Sequence, residues 1–172
     1  CGIEINEAFL GSCNNGRIED LRVGAEIIKG KKVSDKVRFL VVPASQTIYR
    51  QALKEGLIDI FMEAGAIVMN PNCSVCWGSC QGVIGENEVL ISTGTRNFKG
   101  RAGNPTAKIY LVSPESAAAT AIMGTFATAA DILGDQIDIL AAVHEKDEYE
   151  INDNLIIKPC LLYTSDAADD LI

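Results

Sequence analysis

The nearly continuous apolar run at residues 37–42 constrains the fold more than any other stretch of this chain. It reads Val-Arg-Phe-Leu-Val-Val, and such a run is typical of a strand buried on both faces of a sheet. Apolar residues at helical spacing flank it, at residues 17–29 and again at 45–54, where Ser45 is a candidate N-cap. Because strands that alternate with helices usually pair in parallel, the sequence predicts an α/β fold.

The same alternation continues on both sides of this unit. We predict a three-layer α/β/α domain with a mostly parallel sheet. Beyond residue 124 the pattern weakens, and residues 129–133 and 137–143 are either short helices or extended arms. The other predicted strands are 3–10, 66–69, 88–92 and 108–112, and the other predicted helices are 57–64 and 114–123.

The size and charge of the chain limit the classes of function and partner that we expect. The chain has 172 residues, which is the size of one ordinary domain. Its formal charge of −8 argues against a nucleic-acid partner, since no basic patch is available to displace counterions. No run approaches the ~20 apolar residues of a membrane span, so we expect no membrane partner and a cytoplasmic location. In that setting six cysteines are more typical of metal or redox chemistry than of a disulfide framework.

Cysteines concentrate in the loop after the predicted strand 66–69. Cys73 and Cys76 have C-x-x-C spacing, Cys80 follows, and Cys13 lies far upstream in a similar loop, Gly-Ser-Cys-Asn-Asn-Gly. Thiolates select iron–sulfur clusters, zinc or copper(I). Cys13, Cys73 and Cys76 suit a cubane cluster with one iron free of protein ligands, and their sulfurs should then converge on one pocket. Cys80 as a fourth ligand would instead favour electron transfer or a structural site, and unliganded thiols are the remaining alternative.

A third loop places two guanidinium groups in an otherwise acidic chain. It runs from Thr95 to Arg101 and reads Thr-Arg-Asn-Phe-Lys-Gly-Arg. Arginine binds carboxylates through paired hydrogen bonds, so Arg96 and Arg101 are candidates to hold a di- or tricarboxylate. The alternative is a pair of solvated surface arginines. Because all three loops follow predicted strands, we expect them at the carboxyl ends of the sheet, with both arginines reaching toward the cysteines.

In their order along the chain, these three loops resemble the signatures of the aconitase superfamily. The matching segments are Gly11 to Arg17, Cys73 to Cys76, and Arg96 to Arg101. The resemblance is continuous over residues 3–126 and looser to about 159, and the surrounding sequence is most similar to large subunits of the two-subunit dehydratases in that superfamily. It implies a domain like the third domain of aconitase, within a [4Fe-4S] hydro-lyase that dehydrates and rehydrates a hydroxy di- or tricarboxylic acid.

The resemblance also implies a role for individual residues. The cluster ligands would be Cys13, Cys73 and Cys76. The residues that bind the substrate would be Arg96, Arg101, Asn97 and Arg17. The sequence departs from the family pattern at two positions beside the expected site. Asn14 replaces the usual Thr, and Thr95 replaces an Asn found in many members. Both replacements are polar, so hydrogen bonding near the cluster would change while ligation is retained.

Parts of the enzyme would lie outside this sequence. In the superfamily the large subunit carries further domains, and a swivelling domain or small subunit supplies the catalytic serine base. We therefore expect a fragment that is inactive alone, with a cluster-binding domain at residues 1–126 and an extension of the same large subunit at 127–159. Residues 160–172 resemble the translation of a transposon-end adapter used in sequencing libraries, and we expect them to be a non-native tail.

Overall fold

A computed structural model describes residues 2–144 and residue 154 of the chain. The strands are β1 (Glu7–Gly11), β2 (Arg38–Val42), β3 (Ile67–Val68), β4 (Val89–Ser92) and β5 (Lys108–Leu111). The helices are α1 (Ser12–Asn15), α2 (Ile18–Ile28), α3 (Gln46–Lys54), α4 (Leu57–Ala64), α5 (Pro114–Met123), α6 (Ala129–Leu133) and α7 (Ile139–His144). Short 3₁₀ turns lie at Ser74–Cys76 and Gly134–Gln136. The predicted tail at 160–172 lies outside the described residues.

All five strands pair in parallel, in the order β3-β2-β1-β4-β5. This confirms the predicted α/β class and the parallel sheet. From β1 the chain proceeds outward through β2 to β3, then crosses back to form β4 on the other side of β1. The strand order therefore reverses between β1 and β4, and open α/β sheets bind ligands at such a reversal, beside the carboxyl ends of the strands.

The two faces of the sheet are covered differently. One face, which includes Leu10, Phe39 and Ile91, packs against the helices in the larger apolar core. The opposite face presents Phe9 and Leu40 to a smaller core that is completed by side chains from the loops. In the described part of the chain the second outer layer is thus built from the β3–β4 and β4–β5 connections, which the sequence predicts as loops. Those connections carry the cysteine and arginine motifs.

Local signals account for most helix boundaries. The Ser45 hydroxyl accepts a hydrogen bond from Ile48 N (3.2 Å), so the predicted N-cap of α3 is confirmed. Ser113 caps α5 in the same way. Helix α4 ends at Gly65, which has a φ of 92°, a conformation that glycine adopts without steric cost.

Several boundaries differ from the predictions. The first strand begins at Glu7 rather than residue 3, because Glu4 forms an isolated antiparallel bridge with Thr125 instead of joining the sheet. Strand β3 is only two residues long. The weak pattern after residue 124 is helical, and Ala129 and Leu140 join the main core. No helix in residues 2–144 or at 154 is long and apolar enough to cross a membrane.

Candidate functional site

The first cysteine follows directly from the end of β1. Gly11 has a φ of 148°, and a Cβ placed on it would lie 2.3 Å from Val42 O of the neighbouring strand. Only glycine therefore fits this approach of the loop to β2. Ser12 has a φ of 67°, and the chain then makes the single helical turn α1. This turn leaves Cys13 exposed, with its thiol 3.7 Å from Asn14 Oδ1.

The second cysteine loop is shaped by Ser74. This buried residue has a φ of 45°, its N–H is donated to Asn72 Oδ1, and its hydroxyl donates to Gln81 O (2.8 Å). The second bond closes the loop that contains Cys76 and Cys80. Positive φ values in non-glycine residues are uncommon and concentrate at functional sites, and here one such serine adjoins a cysteine in each loop. Cys73 and Cys80 are exposed and Cys76 is half-buried.

Thr93, immediately after β4, joins the first cysteine loop to the third motif. Its Oγ1 accepts a hydrogen bond from Gly11 N (3.0 Å), and its carbonyl accepts one from the Asn15 side-chain amide. These contacts span the point where the strand order reverses. They bring the loops after β1 and β4 together, as expected for motifs at the carboxyl ends of neighbouring parallel strands.

Cys76 lies against the same region. A Cβ placed on Gly94 would be 3.5 Å from Cys76 Sγ, so the second cysteine loop lies beside the residue that follows Thr93. The small residue at 94 leaves room beside this thiol. The structure thus brings the three motif loops together, with Asn15 hydrogen-bonded to Thr93 and Gly94 placed beside Cys76.

Arg101 reaches the cysteine loop, as predicted. Its Nε donates to Cys76 O (2.7 Å), and its guanidinium carbon lies 5.5 Å from the centroid of the Phe98 ring. Gly78 makes the approach of the two loops possible, because a Cβ there would lie 2.2 Å from Arg101 O. Arg101 is half-buried, so its bond to the loop is partly shielded from water.

The other predicted substrate residues are placed differently. Arg96 is exposed and donates to Thr95 O (3.1 Å), and Asn97 is exposed. Arg17 is the N-cap of α2, and its Nε lies 3.2 Å from carboxylate oxygens of both Glu19 and Asp20. The Arg17 guanidinium is therefore already paired with acidic side chains, whereas the Arg101 bond is to a backbone carbonyl.

The four cysteines that the structure describes form no disulfide, and their thiols are not gathered into one group. Cys13, Cys73, Cys76 and Cys80 are all free of disulfides. Within residues 2–144 and 154, no three His, Cys, Asp or Glu side chains lie close enough to hold a metal ion. The expected convergence of the three sulfurs is therefore absent from this arrangement of the loops, and their ligand roles remain predictions.

The donor set fits an iron–sulfur cluster chemically. Thiolates are the protein ligands that such clusters take, and two of the three candidate thiols are exposed while the third is half-buried beside glycine. The loops that carry them lie at one edge of the sheet, and each is hydrogen-bonded to the segment that follows β4. The sequence patterns did not identify Thr93, Asn15 and Ser74, whose hydrogen bonds hold these loops. The role of a hydroxyl or amide cannot be recognised in a sequence when its hydrogen-bond partner is unknown.

Comparison with known proteins identifies the family. The model of the aconitase family (aconitate hydratase) matches residues 1–124. The chain therefore belongs to the aconitase family, and the resemblance drawn from its three motifs is confirmed.

Curated relatives narrow the resemblance within the family. The chain is 52% identical over 132 residues to 3-isopropylmalate dehydratase large subunit 2 of Archaeoglobus fulgidus, covering 77% of this chain and 32% of that protein. It is 56% identical over 124 residues to a probable 3-isopropylmalate dehydratase large subunit of Methanothermobacter thermautotrophicus (72% and 30%). It is 51% identical over 123 residues to the methanogen homoaconitase large subunit of Methanocaldococcus jannaschii (72% and 29%). The chain spans about a third of the length of these relatives.

Proposed function

We propose that this chain is the cluster-binding part of a [4Fe-4S]-dependent hydro-lyase, the large subunit of a 3-isopropylmalate dehydratase acting in leucine biosynthesis. The observation that carries the proposal is the meeting of three motif loops at the carboxyl edge of one parallel sheet, joined through Thr93 and Arg101. Membership of the aconitase family and the names of the relatives support it.

Cys13, Cys73 and Cys76 would hold the cluster. When bound, a cluster with three protein ligands supplies one iron with an open coordination position, which serves as a Lewis acid for a hydroxyl or carboxylate oxygen. The exposed Cys13 follows β1, and the half-buried Cys76 lies in the connection that crosses from β3 to β4. Closure of the two loops onto one centre is the movement that ligation requires, since no three-ligand group exists among the described residues.

Arg101 is the residue best placed to orient a substrate carboxylate. Its bond to Cys76 O uses Nε, so the two terminal nitrogens lie outside that bond and can form a fork to a carboxylate. The Phe98 ring beneath the guanidinium limits its orientation. Arg96 and Asn97, both exposed on the same loop, would make further contacts, and Arg17 would do so only by giving up its pairing with acidic side chains.

The remaining catalytic parts would come from elsewhere. The proposed partner is a small subunit or swivelling domain that supplies the base, the proposed location is the cytoplasm, and the chain alone would be inactive. In the proposed division of the large subunit, residues 1–126 form the cluster domain, residues 127–159 an extension of it, and residues 160–172 a non-native tail.

Two alternatives have support of their own. A homoaconitase or aconitase-like dehydratase is favoured by the methanogen homoaconitase relative, which is 51% identical. A metal-binding or electron-transfer module is favoured by Cys80, an exposed thiol held in the same closed loop as Cys76 by the bond from Ser74 to Gln81 O.

Anaerobic reconstitution of the full chain with ferrous iron and sulfide tests the proposal. We expect iron and sulfide in the ratio of a [4Fe-4S] cluster, visible absorbance that is lost in air, and one iron that exchanges faster than the others. A colourless zinc-loaded chain would contradict the cluster. A metal-free chain with a Cys73–Cys76 disulfide would support a thiol–disulfide protein instead.

A further inference from the structure

We propose that Thr93 is a positioning residue that fixes the Cys13 loop against the end of β4 and thereby couples it to the arginine loop. The role in cluster binding rests on the proposed function, but the coupling itself is a property of the cluster-free chain. Thr93 is 1% exposed. It lies beside the strand-order reversal and outside the set of predicted ligands and substrate contacts.

Three polar groups of Thr93 bond to one short segment. Its N–H donates to Phe9 O (3.0 Å), its Oγ1 accepts from Gly11 N (3.0 Å), and its carbonyl accepts from the Asn15 amide. The first bond continues the β1–β4 ladder, the second holds Gly11 at the very end of β1, and the third holds the chain beyond it. The second and third bonds bracket Cys13, one two residues before it and the other two residues after it.

The Cys13 loop is held on its β2 side by the approach of Gly11 to Val42 and by a hydrogen bond from Ala44 N to Gly16 O (2.8 Å), and on its β4 side by Thr93. The single helical turn α1 has four residues, too few to be stable by itself. Gly11 gains the most conformational freedom if its hydrogen bond is lost, because it has no Cβ to restrict it. An unsatisfied buried N–H at Gly11 would also be unfavourable, so the loop would leave this position once the acceptor is removed.

The same residue begins the arginine loop. Gly94, next in the chain, lies beside Cys76, since a Cβ placed on it would be 3.5 Å from Cys76 Sγ, and Arg96 follows two residues later. A shift at residue 93 is therefore transmitted in both directions, to the Cys13 loop through hydrogen bonds and to the Cys76 thiol through the chain. One hydroxyl thus sets the relative placement of ligand candidates from two separate loops.

The chain offers a close set of variants. Thr93→Val keeps the shape but removes the acceptor, and Thr93→Ser keeps the acceptor. Thr120→Val is the matched control, since Thr120 is also fully buried and its hydroxyl bonds to the backbone of Ala127, on α5 and away from the cysteines. Asn15→Ala removes the donor to the Thr93 carbonyl from a half-buried position, so it tests the same link even if Thr93→Val fails to fold.

Amide hydrogen exchange in the cluster-free full chain measures the link directly. Thr93→Val should speed exchange at Gly11 by roughly tenfold, the expected effect of losing one buried hydrogen bond. Asn15→Ala should speed exchange across residues 12–15 by a smaller factor. Thr93→Ser should restore the wild-type rate, and Thr120→Val should leave Gly11 unchanged. The proposal would be overturned if Gly11 exchanged equally fast in Thr93→Val and Thr120→Val. If Thr93→Val does not fold, it would be overturned by unchanged exchange across residues 12–15 in Asn15→Ala.

After anaerobic reconstitution, the visible absorbance gives the second measurement. Thr93→Val, and Asn15→Ala to a smaller extent, should lose the cluster signal in air several-fold faster than wild type and Thr120→Val, with rescue by Thr93→Ser. An identical rate of loss in Thr93→Val and Thr120→Val would overturn the role of Thr93 in cluster binding. If the wild-type chain takes up no cluster, the proposed function fails, while exchange at Gly11 and residues 12–15 still decides whether Thr93 positions the loop.

Discussion

At the amino end of the sheet charged side chains pair with one another, whereas at the carboxyl end the polar groups of the three motif loops bond mainly to backbone. The amino end holds Glu7, Arg38 and Glu88 in one network. At the carboxyl end Arg101 bonds to a carbonyl and the thiols of Cys13 and Cys73 are exposed. The first arrangement pairs charged side chains with one another, and the second leaves guanidinium nitrogens and thiols that can contact another molecule.

The amino-end network is built around a carboxyl group with no exposure. Arg38 Nε donates to Glu7 Oε2 (3.0 Å), and its terminal nitrogens donate to the two Glu88 oxygens (2.9 and 2.6 Å). Glu7 Oε1 has no hydrogen-bond partner among residues 2–144 and 154. Burial raises the pKa of Glu7 to about 7 although Arg38 opposes the shift, while the hydrogen bond from Arg38 lowers the pKa of Glu88. This end of the sheet therefore affects stability in a way that depends on pH.

The largest effect we predict at the carboxyl end is on turnover. In the complete enzyme, Arg101→Lys should lower kcat/KM by roughly 30- to several-thousand-fold, or about 2 to 5 kcal/mol, because an ammonium cannot present the planar fork to a buried carboxylate. The cluster absorbance and the fold should be retained. Steady-state kinetics of the complete enzyme, reassembled with the proposed small subunit, measures this.

Lys99 provides the control for that experiment. It lies on the same loop and is exposed, so Lys99→Ala should change kcat/KM far less than Arg101→Lys. Near-normal turnover by Arg101→Lys on isopropylmalate, homocitrate and citrate alike would remove Arg101 from the site. The carboxyl end of the sheet would then lack the carboxylate-binding arginine that distinguishes it from the amino end.

The next largest effect should appear at the amino end as a dependence of stability on pH. The pKa of Glu7 rises from 4.5 to about 7 on folding. Below pH 4.5 both states hold the proton, and the stabilising contribution is fully present. As pH rises toward 7 the unfolded state releases its proton first, so this contribution is lost and the free energy of unfolding falls.

Glu7→Gln should remove that dependence. It should stabilise the chain at pH 8 by about 1 to 3 kcal/mol relative to wild type and have much less effect near pH 4.5. Urea unfolding of both chains at the two pH values is the measurement. Arg38 keeps its bond to Glu88 in the variant, which limits disturbance of the network. A variant that is less stable than wild type at pH 8 would show that the Glu7 carboxylate stabilises the fold in its charged form.

The smallest predicted effect is on stability, and it tests whether the motif loops alone, rather than the whole carboxyl edge of the sheet, support the site. Ser45 follows β2 at that edge but belongs to no motif, and its hydroxyl caps α3. Ser45→Ala should lower the free energy of unfolding by about 1 kcal/mol and leave the cluster absorbance unchanged. If the absorbance is lost with this variant, the edge as a whole, rather than the three loops, supports the site.

The sequence predicts the framework well because its signals are local. The run at residues 37–42 becomes β2, and Ser45 and Pro114 begin α3 and α5 where their chemistry places them. The short β3 and the loop-covered face were not predicted, since they depend on which connections cross the sheet. Such crossings are set by tertiary packing, and residue spacing carries no information about them.

For the site, the motifs identify candidate residues but not their arrangement. The approach of Arg101 to the cysteine loop was predicted and is observed. Its contact with Cys76 O, the tie from Thr93 to Gly11, and the positive φ of Ser12 were not predicted, because each depends on a partner distant in sequence or on backbone strain. The pairing of Arg17 with Glu19 and Asp20 was also unforeseen, although the Asp three residues after it is typical of a helix start.

The most direct test of the account compares four single substitutions after anaerobic reconstitution. Cys13→Ser, Cys73→Ser and Cys76→Ser should each abolish the visible absorbance and the bound sulfide of the full chain, and Cys80→Ser should retain both. Loss of the cluster in Cys80→Ser together with its retention in Cys13→Ser would contradict the account, because the β3–β4 loop alone would then hold the metal and the meeting of loops across β1 and β4 would have no part in it.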